Sequence, residues 1–134
     1  MRNIPVAIGV LQDAQGKILL TQRFSPESPS VHLKWQLPGG EINKDETPSS
    51  ACVREFLEET GYTVEVVSKE ASIIVHPYGG KQYTLYGFKV RLISGTINVS
   101  LDVETNDAKW FDHDEWKKLK TLDDTREMIE FCLK

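Results

Sequence analysis

The sequence predicts one α+β domain, residues 1–134, in which a mixed β-sheet packs against helices. Three observations lead there. Strand-like apolar runs fill the opening and the middle of the chain, a well-punctuated amphipathic helix separates them, and two short capped helices close the sequence. At 134 residues the chain buries roughly two thirds of its unfolded surface, which suits one core. An apolar fraction of 40% together with nine glycines is that of an ordinary folded domain, and it sets aside disorder, collagen and coiled coil.

Taken in order, Pro5 to Leu11 and Lys17 to Thr21 flank the turn formers Asp13-Ala14-Gln15-Gly16 and read as a β-hairpin. Ser25-Pro26-Glu27-Ser28-Pro29-Ser30 is a loop, too short to link two domains. Thr47 suits an N-cap, Pro48 the first helical position and Gly61 the stop, so a helix is expected over Pro48 to Thr60. Its helical periodicity groups Cys52, Val53, Phe56, Leu57 and Thr60 on a packing side, and Ala51, Arg54, Glu55, Glu58 and Glu59 on a charged side. Strands follow at Thr63 to Val67 and Ser72 to Val75. After a turn at Pro77-Tyr78-Gly79-Gly80, a further strand from Tyr83 to Leu92 sets Tyr86, Phe88, Val90 and Leu92 on one face. Ala108 to Phe111 is a short strand, and the last two helices each open with Asp three residues before Glu: Asp112 with Glu115, Asp124 with Glu127.

Composition narrows the function classes. The longest apolar stretch, Val6 to Leu11, is far short of the roughly 20 residues that span a bilayer, and Met1-Arg2-Asn3-Ile4-Pro5 resembles no signal segment, so a cytoplasmic protein without membrane association is expected. A net charge of −4 gives no electrostatic footprint for duplex nucleic acid. Cys52 and Cys132 lack metal or redox spacing and read as reduced structural thiols.

The chemistry lies between Gly40 and Tyr62. Glu55, Glu58 and Glu59 stand at i, i+3 and i+4 of one helix, within reach of a common point. Like charges so placed weaken a helix, and a bound cation would offset that cost. Hard divalent ions such as Mg²⁺ or Mn²⁺ prefer carboxylate oxygens and commonly bridge to phosphates. Arg54 can lock a carboxylate bidentately, with Glu46 as an available partner. Taken alone, a Glu-rich helix face is more often the solvated side of a surface helix.

The wider stretch resembles the Nudix box at every defined position: Gly40, five residues, Glu46, seven residues, Arg54-Glu55, the bulky Phe56, Leu57, Glu58-Glu59, Thr60, Gly61 and the bulky Tyr62. An aliphatic residue is commoner in that family where Tyr62 stands. Thr21-Gln22-Arg23, Trp35-Gln36-Leu37-Pro38-Gly39-Gly40, Tyr83-Thr84-Leu85-Tyr86 and Trp110 are similar to the MutT branch. The resemblance implies an α/β/α sandwich around a mixed sheet and hydrolysis of a nucleoside diphosphate linked to another group. It makes Glu55, Glu58 and Glu59 metal ligands for Mg²⁺ or Mn²⁺, adds a carbonyl of Gly39 or Gly40, and gives Arg54 and Glu46 a supporting salt bridge. Glu104, six residues before Trp110, is the candidate for a further carboxylate, with Asp102 and Asp107 as rivals.

For the substrate, the same resemblance points to Arg23 on the phosphates and to Leu37, Lys81, Asp124 and Thr125 around the base. The plainer alternatives are a solvated strand-end arginine and, for Asp123 and Asp124, helix caps. Tyr78, Tyr83 and Tyr86 could stack on a base or fill the core; His32, His76 and His113 show no ligand spacing. The leading expectation is hydrolysis of ordinary or oxidised nucleoside triphosphates to monophosphate and pyrophosphate, by a monomer or homodimer acting on small molecules. Its rivals are an ADP-ribose or nucleotide-sugar pyrophosphatase, which Pro77 leaves open, and a non-catalytic nucleotide-binding regulator, which the complete set of box carboxylates disfavours. Capped or triphosphorylated RNA fits the acidic charge poorly.

Overall fold

The structure is a computed structural model that describes residues 2–100 and 102–133. Its elements are β1 (Arg2–Leu11), β2 (Ile18–Arg23), β3 (Trp35–Gln36), β4 (Gly39–Glu41), α1 (Pro48–Thr60), β5 (Tyr62–Val66), β6 (Ser72–Tyr78), β7 (Lys81–Gly95), β8 (Thr105–Phe111), α2 (His113–Lys118) and α3 (Thr125–Cys132). The long strand β7 organises the larger sheet. One edge pairs in parallel with β1, from Arg2 opposite Lys81 to Leu11 opposite Val90. The other edge carries β6 and then β5, both antiparallel. Strand β4 lies antiparallel on the outer edge of β1, and a smaller sheet runs in the order β3-β2-β8. The sheet is therefore mixed, as expected.

The hairpin expected from β1 and β2 exists only at its tip. Asp13 Oδ1 accepts the N–H groups of Gln15 and Lys17, and one bridge joins Gln12 to Ile18. Beyond it the strands part into different sheets, because β4 and β7 occupy both edges of β1. The turn formers thus encode the reversal but not the pairing partner.

Alternation along the strands builds two cores on opposite faces. Ala7 and Leu11 of β1 and Phe88 and Val90 of β7 pack with Ala51, Cys52 and Phe56 of α1. Val10 of β1, with Ile18 and Leu20 of β2, packs with Trp116 of α2 and Met128 and Ile129 of α3. Helices on both faces of a mixed sheet make the α/β/α sandwich. Tyr86 belongs to the α1 face, whereas Leu85, one residue earlier, packs on the α3 side.

Helix α1 has the expected ends. Thr47 accepts the Ser50 N–H, Ser50 bonds back in a capping box, and Gly61 closes the helix at φ 82°, a left-handed conformation that glycine adopts without penalty. Three side assignments need correction. Glu59 is buried at 6% exposure and Leu57 is 42% exposed, while Ala51 is buried too. Glu59 stands seven residues after Cys52, hence on nearly the same side of the helix, and belongs to the inward arc.

Helix α2 has the expected Asp112–Glu115 capping box, with bonds of 2.8 and 2.9 Å. Helix α3 does not repeat it. Asp124 sits at φ 70° and its side chain makes no cap hydrogen bond, so the expected Asp124–Glu127 box is absent.

Candidate active site

The turn of chain that enters α1 brings its charged side onto β4. Gly40 lies directly against Glu55: a Cβ added there would come within 2.5 Å of the Glu55 carboxylate. Only a residue without a side chain lets Glu55 lie against the strand. Gly39, its neighbour, donates its N–H to Glu59 Oε1 at 3.3 Å, and Thr21 Oγ1 reaches the same oxygen at 3.5 Å.

Arg54 ties the region together. Its Nε and Nη2 donate to the two oxygens of Glu46 at 2.6 and 2.8 Å, a bidentate clamp, and Nη2 also donates to the Glu41 carbonyl at 3.1 Å. Nη1 donates to Glu55 Oε1 at 2.7 Å and to both Glu58 oxygens at 3.2 and 3.3 Å. The guanidinium beside Glu46, aided by the Asn43 N–H, holds that carboxyl at about 2. The Arg54–Glu46 pair expected from the sequence is thus formed.

Glu55 and Glu59 shift the other way from Glu46. Burial pushes the Glu55 carboxyl up, partly offset by Arg54. Burial pushes Glu59 well above the usual range, against the Gly39 N–H, with Asp102 and Glu55 adding repulsion. Among the described residues no three acidic, His or Cys side chains are gathered as a ready metal-binding group. Arg54 draws Glu55 and Glu58 to itself while Glu59 turns to Gly39 and Thr21. The donor set nevertheless fits a hard divalent cation. It is all oxygen, and two of its acids carry unfavourable burial and mutual repulsion that a cation would relieve.

These carboxylates lie along a cleft of about 820 Å³. Gly39, Gly40, Glu55, Glu58 and Glu59 line one part of it, and Asp102 and Glu104 stand nearby. Glu104 faces Arg23, with Oε2 3.4 Å from Nη2, and Arg23 is further held by Ser25 Oγ at 3.0 Å from its Nε. The charge of Asp102 adds to the repulsion at both Glu55 and Glu59. Asp102 is itself fixed by the Glu104 N–H and the Thr105 hydroxyl, at 3.0 and 2.9 Å.

The remaining expected substrate residues, Arg23, Leu37, Lys81, Asp124 and Thr125, all line this same cleft. So do Tyr78 and Tyr83, but Tyr86 points into the α1 core. Sequence reasoning assigned nothing to His76, which also lines the cleft and lies 2.8 Å from Asp124. No local spacing betrays it, because β6 and the start of α3 meet only through the fold. Among the described residues no helix is long and apolar enough to cross a membrane.

The shape and the sequence both have known counterparts. A solved NUDIX hydrolase from Nitrosomonas europaea superposes with a TM-score of 0.82 at 24% identity, over 96% of this chain and 87% of that one. An 8-oxo-dGTP diphosphatase of Escherichia coli is 35% identical over 65 residues, 47% of each chain. An ADP-ribose pyrophosphatase of Bacillus subtilis is 28% identical over 129 residues, 94% of this chain and 63% of that protein. The chain spans less than two thirds of those two relatives, and 30% and 11% of the length of two other matches. The NUDIX domain model matches residues 2–132, nearly the whole chain, and the protein belongs to the Nudix family.

Proposed function

We propose that the protein hydrolyses nucleoside triphosphates, ordinary or oxidised, to nucleoside monophosphate and pyrophosphate. The observation that carries this reading is one cleft with an acidic, metal-fitting group at one part and Arg23, Lys81, Tyr83 and Asp124 around the rest. Glu55, Glu58 and Glu59, with a carbonyl of Gly39 or Gly40, would hold Mg²⁺ or Mn²⁺. When bound, such a cation activates water and neutralises charge on the attacking and leaving oxygens.

The chain's own groups do the rest. Glu46 anchors Arg54, and Arg54 sets where Glu55 and Glu58 stand. Arg23, fixed by Ser25, is placed to neutralise phosphate oxygens, and Glu104 holds it on its other side. Glu104 or Asp102 supplies the further carboxylate. Leu37 is a wall of the nucleoside end, while Lys81, Asp124 and Thr125 offer polar contacts to the base. In the step itself a water oxygen bonds to the phosphorus nearest the sugar and gives its proton to a carboxylate of the cleft, the bond from that phosphorus to the bridging oxygen breaks, and pyrophosphate leaves with the bond's electron pair.

A second reading, cleavage of ADP-ribose, has the support of the Bacillus subtilis relative, whose similarity runs over 94% of this chain. A panel of ordinary and oxidised nucleoside triphosphates, ADP-ribose and dinucleoside polyphosphates, with products separated by chromatography, decides between them. Triphosphate hydrolysis in ¹⁸O-water should put label in the monophosphate and none in pyrophosphate. Label in the pyrophosphate moves the attack to the next phosphorus. Orthophosphate as the primary product, or ADP-ribose as the preferred substrate, overturns the proposal.

A further inference from the structure

Asp124 occupies the place of a helix cap without acting as one. The sequence Asp124-Thr125-Arg126-Glu127 has the same Asp-x-x-Glu form that caps α2, yet the Asp124 backbone turns left-handed and its carboxylate leaves the helix end. Among the described residues only Leu33 otherwise shows a positive φ outside glycine. Such a conformation persists where surrounding contacts over-determine it.

The contact that draws Asp124 away is His76 on β6. Nδ1 of His76 lies 2.8 Å from Oδ2 of Asp124, and Nε2 lies 3.8 Å from Oδ2 of Asp123. Asp124 Oδ2 is buried, and the approach of Nδ1 is too poorly aligned to count as an ordinary hydrogen bond. At 2.8 Å the imidazole nonetheless packs against this otherwise unpartnered oxygen and fixes where the carboxylate stands, while 19% of the Asp124 side chain stays open to the cleft. The ring is itself held. It stacks on Tyr78, with centroids 6.3 Å apart and planes at 21°, and the Tyr78 hydroxyl meets Ser30 Oγ at 3.2 Å.

We propose that His76 is a positioning residue for substrate choice: it aims the Asp124 carboxylate at the base edge, favouring nucleobases that present an N–H donor there. This rests on the reading of Asp124 as a base contact in a triphosphatase. His76 touches neither the box carboxylates nor Arg23, so its loss alters which nucleotide is preferred and leaves the hydrolytic step in place. A site built to pair a base N–H rejects bases lacking it, and loses that discrimination when its acceptor is no longer held.

The test measures kcat and KM separately for dGTP, dATP, dCTP and dTTP in four variants, with melting temperatures alongside. His76→Leu removes the ring nitrogens. His76→Asn keeps an N–H donor at the δ position. Asp124→Ala removes the carboxylate, and His76→Leu is repeated on that background. The expected result for His76→Leu is a fall of about tenfold in the ratio of kcat/KM between best and worst nucleotide, carried by KM. His76→Asn should keep the ratio within about twofold of the parent, and His76→Leu should add nothing once Asp124 is gone. If Asp124→Ala shifts the ratio and His76→Leu does not, or if His76→Leu acts equally with Asp124 absent, this inference is overturned while the base-contact reading stands. If Asp124→Ala leaves the ratio unchanged, or no triphosphate is turned over, the reading beneath it fails and takes this inference with it. Should His76→Leu not fold, His76→Gln, which moves the donor beyond the δ position, replaces it: equal ratios for Asn and Gln overturn the proposal.

Discussion

Gly39 and Gly40 are adjacent, yet adding one methyl group to each should fail in different ways. At Gly39 a Cβ would stand 2.1 Å from the Ala7 carbonyl oxygen and 2.7 Å from the Ile8 Cα, both backbone atoms of the paired strand β1. Neither can move without disturbing the sheet. Overpacking of this kind costs about 1–3 kcal/mol. With an unfolding entropy of roughly 2.1 cal/mol/K per residue, a chain of 134 residues should lose about 4–11 °C in Tm. At Gly40 the Cβ meets the carboxylate end of Glu55 at 2.5 Å, a group that can swing away. Gly40→Ala should therefore melt within about 2 °C of the parent. Displacing Glu55 by an ångström or so should still cost about a hundredfold in turnover. Circular dichroism melts and an initial-rate assay on both variants check this. A Gly40→Ala protein with full activity, or a Gly39→Ala protein that melts like the parent, would refute the argument.

Glu58, half exposed at 49%, should tolerate Glu58→Gln with a Tm change under about 2 °C while activity falls by orders of magnitude; a variant that unfolds instead makes the residue structural. Glu59→Gln should raise Tm at neutral pH when measured in chelator. The folded carboxyl is pushed up by burial, so as pH climbs above the ordinary carboxyl value the unfolded chain releases its proton first and wild-type stability falls. Glutamine has no such loss, so the advantage should shrink toward pH 4, and a pH-independent difference would contradict the burial argument. Finally, among the described residues eight carboxylates line the cleft against only Arg23 and Lys81 as fixed cations. EDTA should abolish turnover, Mg²⁺ or Mn²⁺ should restore it, and calorimetry should find nucleotide binding far weaker in EDTA; full activity in chelator would sink the mechanism.

Local punctuation made much of the fold legible. Thr47, Pro48 and Gly61 bracket α1 as they would in any helix, and Asp112 with Glu115 caps α2. What local signals could not carry is partnership between distant strands. The Asp13–Gly16 turn says that the chain reverses, but β1 chooses β7 in parallel, some 80 residues away in register, and that choice is made by which apolar faces meet. The same limit explains Glu59. A charge in a run of charges reads as solvated, and only its place seven residues after Cys52 signals that it turns inward.

The two parts of the cleft differ in legibility for a physical reason. The acidic part is made from one continuous stretch, Gly39 to Glu59, because a helix face converts spacing directly into convergence: Arg54 reaches Glu58 one turn further along the helix and Glu46 in the loop that precedes it. The other part is assembled from β2, the β6–β7 hairpin and the start of α3, which meet only after the sheet has closed. Asp124 shows the consequence most clearly. In sequence it is indistinguishable from Asp112, since both precede a glutamate by three residues, and one caps its helix while the other does not. Where Asp112 meets its own helix, Asp124 instead stands 2.8 Å from His76, nearly fifty residues earlier. Capping needs only the helix that follows, so it can be read locally. Recruitment away from capping needs a partner delivered by the tertiary fold, and it is there that a site can acquire specificity without altering its catalytic stretch.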